Sequence, residues 1–96
     1  MQRDYELIYI VSPTVPDDGV GGVTERVQNL IAREGGSVEE VSPWGRRRLA
    51  YRIRGYREGN YVLARLRLPP AAVKPLEAHL EISEDVLRHL VVRSGD

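Results

Sequence analysis

The order in which the apolar residues change their spacing constrains this chain more than any single motif. Residues 5–11 put Tyr5, Leu7, Tyr9 and Val11 on one face of an extended segment and Glu6, Ile8 and Ile10 on the other. A strand apolar on nearly both sides reads as a central strand. Ser12-Pro13 ends it, and Pro16-Asp17-Asp18 supplies a helix start with acids against the positive end of the dipole. Val20, Val23, Val27, Leu30 and Ile31 then recur at helical spacing until Gly35-Gly36 closes the helix. Gly19, Gly21 and Gly22 weaken its first turns by up to about 1 kcal/mol each, so fraying is expected there.

A second strand begins over 37–41, is interrupted at Ser42-Pro43 and resumes over 46–53. Gly55 and Gly59-Asn60 mark a loop with Tyr56-Arg57-Glu58 at its tip. Residues 61–68 form a third strand, with Val62, Ala64, Leu66 and Leu68 facing one way and Tyr61, Leu63, Arg65 and Arg67 the other. After Pro69-Pro70, the spacing of Ala72, Val73, Leu76 and Leu80 predicts a second helix. Pro75 falls inside it and costs a backbone hydrogen bond unless the helix starts late. Residues 86–92, rich in Val and Leu, form the last strand.

Strand, helix, strand, strand, helix, strand is the split βαβ or ferredoxin-like pattern of the α+β class. Two helices cover one face of a four-stranded antiparallel sheet, and 96 residues suit one such domain, 1–96. The other face is left open. It shows Ile8, Ile10, Leu63 and Tyr61 beside Arg65 and Arg67, an exposed apolar patch that implies a partner. That partner is another macromolecule or, alternatively, a second copy, which would make the chain a self-associating regulatory or metabolite-binding module.

Charge separates these readings. Net charge is zero, and thirteen of the fourteen basic residues are Arg, the other being Lys74. Residues 44–67 nevertheless hold eight Arg against Glu58 alone, an excess of seven positive charges. Acids exceed bases by four over 17–40 and by three over 69–87. Within a Debye length of about 8 Å only the local field matters, so the basic block is where a polyanion would bind. Arg46, Arg47 and Arg48 sit at its centre, and alternation sends Arg46 and Arg48 to one face and Arg47 to the other. Their guanidinium groups match phosphate and stack on bases, which Lys does poorly.

Other chemistries find no support. With no cysteine, disulfides, thiolate metal sites and cysteine nucleophiles are excluded. His79 and His89 lie on separate elements without metal-ligand spacing, and no serine has a nucleophile-elbow surround. Glu39 and Glu40 are adjacent on a strand and point to opposite faces. The glycines at 19, 21 and 22 lack a phosphate-loop ending and adjoin Asp17 and Asp18, which repel phosphate. Neither an enzyme nor a cofactor is expected, and no small-molecule substrate. Charges near the N-terminus and the absence of a long apolar run predict a soluble, cytoplasmic protein with no membrane partner. The RNA-recognition motif shares this architecture but stacks bases on aromatics of its central strands. Here those strands offer Glu6, Ile8 and Ile10, then Tyr61, Leu63 and Arg65, so a base-stacking platform is not expected.

Several segments carry a resemblance. Y-E-L-I-Y-I-V-S-P (Tyr5 to Pro13), Gly35-Gly36, W-G-R-R-R-L-A-Y-R-I (Trp44 to Ile53), G-N-Y-V (Gly59 to Val62) and V-L-R-H-L-V-V-R (Val86 to Arg93) resemble the bacterial small-subunit ribosomal protein six family along essentially the whole chain. The resemblance implies a ribosomal location, binding to the central domain of 16S ribosomal RNA, and a heterodimer with small-subunit ribosomal protein eighteen. Arg46, Arg47 and Arg48 are then expected to contact RNA phosphate or the partner, with Tyr51 positioning their strand. Arg3, Arg88 and Arg93, on the first and last strands, are the next candidates, and Ile8, Ile10, Leu63, Leu90 and Val92 are candidates for an apolar interface. The chain departs from many members at Pro75 and in ending at Asp96 without a long acidic tail.

Overall fold

Alternation in the two central strands builds the core of the computed structural model, which describes residues 1–94. Arg3–Val11 (β1) and Tyr56–Leu68 (β3) pair antiparallel, so Tyr5, Leu7, Tyr9 and Val11 share a face with Val62, Ala64, Leu66 and Leu68. Val23, Val27 and Ile31 of Val20–Arg33 (α1) and Leu76 and Leu80 of Val73–Ile82 (α2) cover that face. Burying each such side chain is worth about 1.5–3 kcal/mol, so this layer carries most of the stability. Ser37–Ile53 (β2) and Val86–Arg93 (β4) complete the antiparallel sheet in the order β2-β3-β1-β4. This is the ferredoxin-like α+β sandwich, with β1 and β4 adjacent as expected.

Short 3-10 turns, Asp17–Gly19 and Pro70–Ala72, precede the helices. Pro75 is therefore the third residue of α2, within the first turn, where backbone N–H groups have no acceptor inside the helix. The late start removes the expected cost. At the end of α1, Gly35 (φ +88) and Gly36 donate to the carbonyls of Ala32 and Ile31. That pairing is a Schellman cap, and it turns the chain directly into β2.

Three expectations need correction. β2 is not broken at Ser42-Pro43: it continues as an edge strand, where Pro is tolerated, and absorbs irregularity in bulges. Residues 56–60 of the expected loop are strand instead. The reversal is a two-residue turn at Arg54-Gly55, both with positive φ (52° and 84°), the type I′ geometry that matches strand twist. Ile10 is not exposed on the open face. Leu49, Leu87 and Tyr61 cover it in a second, smaller cluster to which Ile53 and Tyr56 add, leaving it 7% exposed. Its cause is the far half of the β2–β3 hairpin, whose register shifts between Arg48 and Ile53 so that Leu49 packs back onto the sheet.

Candidate nucleic-acid and partner interface

Register places the open-face residues in rows across the sheet. Leu63, Ile8 and Leu90 form one row and Tyr61, Ile10 and Arg88 the next, while Val92 joins Glu6 and Arg65 in a polar row. Leu90 and Val92 are 57% and 44% exposed, and Ile8 and Leu63 are half-buried. The folded-back hairpin adds Leu49, Tyr51 and Ile53, which with Ile8, Tyr61 and Leu90 line a groove of about 300 Å³. Arg88 is also in its lining. Its guanidinium lies over the Tyr51 ring, 5.5 Å from the centroid, and Nη1 donates to the Tyr51 hydroxyl. The groove is apolar with a single cation in its wall, a shape suited to aliphatic and aromatic side chains.

The bulge in β2 decides where the arginines go. Trp44 and Gly45 together occupy the position opposite Tyr61, with Gly45 at φ +83, so every later residue changes face. Arg46 consequently turns to the helix side. There its Nη1 donates to Glu58 Oε1 at 3.0 Å and its Nη2 to Asp17 Oδ1 at 3.1 Å. The Glu58 and then the Asp17 bond raise its pKa above the ordinary guanidinium value. Arg46 is thus occupied within the fold, tying the hairpin to the start of the helical layer.

The same sorting divides the rest of the basic block. Arg65 pairs with Glu40 at 3.4 Å and Arg67 with Asp4 at 3.2 Å, both along the body of the sheet. Arg26 pairs with Asp85 at 2.6 Å. Among the described residues, Arg47, Arg48, Arg52, Arg54 and Arg57 have no carboxylate partner. All five lie on the hairpin beyond the bulge. Among the described residues Arg47 is held by Trp44, whose ring it overlies at 5.7 Å. Unneutralised cations therefore concentrate at one end of the molecule, beside the groove.

Of the residues singled out from the sequence, Arg46, Arg47, Arg48 and Arg88 come together at this end. Arg3 and Arg93 do not, because they flank the opposite end of β1, roughly 17–25 Å away at about 3.3 Å per residue. Arg52, Arg54 and Arg57 belong to the basic block, but sequence reasoning does not single them out. Their signal is available: Arg54 lies in the turn that Gly55 marks, and Arg52 and Arg57 flank it.

Comparison with known proteins gives one family. A family model described as Ribosomal protein S6 matches residues 4–93. Small ribosomal subunit protein bS6 of Moorella thermoacetica is 41% identical over 91 residues, spanning 95% of this chain and 93% of its own length. The same protein of Mycolicibacterium paratuberculosis is 44% identical over 92 residues, spanning 96% of each. The crystal structure of 30S ribosomal protein S6 from Thermotoga maritima matches with a TM-score of 0.89 at 27% identity, over 98% of this chain and 89% of that one.

Proposed function

The chain belongs to the ribosomal protein S6 family, a structural and non-enzymatic component of the small ribosomal subunit, and on that premise we propose that it binds the central domain of 16S ribosomal RNA jointly with small-subunit ribosomal protein eighteen. The observation carrying this reading is the uneven neutralisation of the arginines. Arg65 and Arg67 in the body of β3 have carboxylate partners, whereas the five beyond the bulge have none among the described residues. Free guanidinium groups on a projecting hairpin suit phosphate, to which each adds a salt-sensitive contact. Arg47, Arg48, Arg52, Arg54 and Arg57 take RNA in this reading, and the groove between hairpin and sheet takes the protein partner.

Both surfaces share the hairpin, which has one consequence. A partner filling the groove against Leu49, Tyr51 and Ile53 holds still the strands that display the arginines. Alone, the chain binds RNA weakly, because the net charge is zero and the acidic helical segments offset the long-range field of the hairpin. Titration of a central-domain RNA fragment with and without the partner tests this. Tighter binding in the partner's presence is expected, and equal affinity contradicts joint binding. A stable homodimer burying the groove, seen by light scattering, would favour self-association instead.

A further inference from the structure

We propose that Trp44 is a stacking site for one unpaired nucleobase, an inference that rests on the RNA-binding reading and adds a base contact to its phosphate contacts. The two central strands give the open face one aromatic beside the arginines, Tyr61, too little for a platform. Because β2 runs unbroken through Ser42-Pro43, it adds Trp44 to that face next to Tyr61, and the two rings lie nearly parallel, 10° apart in plane with centroids 6.2 Å apart. This is offset stacking, and it fixes the indole in place. Trp44 nonetheless stays 40% exposed, at the rim beside the unpaired arginines and away from the interior.

The present cover of the ring is a weak one. Arg47 overlies it at 5.7 Å, and its Nε donates to the Trp44 carbonyl at a long 3.4 Å. A guanidinium over an exposed ring is worth about 2- to 5-fold in an equilibrium. A base stacked on an aromatic side chain is worth about 5- to 150-fold in affinity. A base therefore displaces the guanidinium, and Arg47, still tethered three residues away, turns to the phosphate of the same nucleotide. Charge selects this occupant over a protein side chain. An apolar residue on the ring leaves Arg47 without a counter-charge, while a nucleotide supplies both the π face and the anion. Bases within a duplex have no free face, so the site takes single-stranded positions.

Trp44 is the chain's single tryptophan, so its emission reports on this site alone. The test titrates the full chain at low salt with oligoadenylate, with an abasic strand of equal length and with an RNA duplex. Calorimetry follows binding and tryptophan emission follows stacking. Oligoadenylate is expected to quench, and the abasic strand and the duplex to bind without quenching. Trp44→Leu is expected to weaken oligoadenylate binding by about 5-fold or more and to leave duplex binding unchanged. The quenching arm uses the unaltered chain, so it holds whether or not that variant folds. Oligoadenylate bound with unchanged emission overturns the inference, as does quenching by the protein partner with no RNA present. If none of the three nucleic acids binds, the RNA-binding reading itself fails and the stacking site with it.

Discussion

Single residues fix how closely the hairpin sits on the sheet, and Gly59 does most of this. A Cβ added there would lie 2.5 Å from Ile10 Cγ2 and 2.9 Å from the Val11 carbonyl oxygen. The second of these is backbone and cannot turn aside. Gly59→Ala should therefore cost about 1–3 kcal/mol, as overpacking does, read as a lower urea midpoint with little change in slope. Unchanged stability would mean the close approach is not required. This role was not legible in the sequence. A glycine next to an asparagine reads as a turn, and the demand for it comes from Ile10 and Val11, far away along the chain. By contrast Gly35 was legible, because a glycine following a helical repeat is a local signal.

At the scale of elements, the β2–β3 hairpin joins the apolar groove to the arginines. Its far half is anchored by Leu49, 8% exposed against Ile10 and Leu87. Leu49→Ala should cost about 2–3 kcal/mol, toward the low end for a buried leucine because this cluster is small and lies near the surface. Native-state hydrogen exchange should then show weakened protection over 47–58 while the central strands keep theirs. Uniform weakening across the sheet would contradict an independently anchored hairpin. Strand periodicity revealed β1 and the body of β3, since both alternate cleanly over a buried face. It did not reveal the bulge at Trp44-Gly45 or the shift after Arg48. An extra residue leaves the local pattern looking like a break, and Ser42-Pro43 already suggests one. The bulge decides that Arg46 turns inward to Asp17 and Glu58, and the unbroken run of β2 through Ser42-Pro43 is what lays Trp44 on Tyr61.

The whole molecule is polar in its charges despite a net charge of zero. The segments that form the helical layer carry an excess of acid, and the uncompensated arginines project at the end where Arg46 binds Asp17. The order of elements was legible throughout, because Pro or Gly punctuates every change of period but the last, where Ser83 to Asp85 intervene. The basic block was legible as well, but which of its members are free was not, since Glu40 and Asp4 reach Arg65 and Arg67 only across the sheet. The most direct test compares two triple substitutions that remove equal charge: Arg48, Arg52 and Arg57 to Ala against Arg26, Arg65 and Arg67 to Ala. The measurement is the slope of log affinity against log salt for a central-domain RNA fragment with the partner present. The hairpin triple should lower that slope by about 2–3, near one for each phosphate no longer neutralised, and the paired triple by less than about 1. Equal reductions in the two variants, or the larger reduction in the paired triple, would contradict the account.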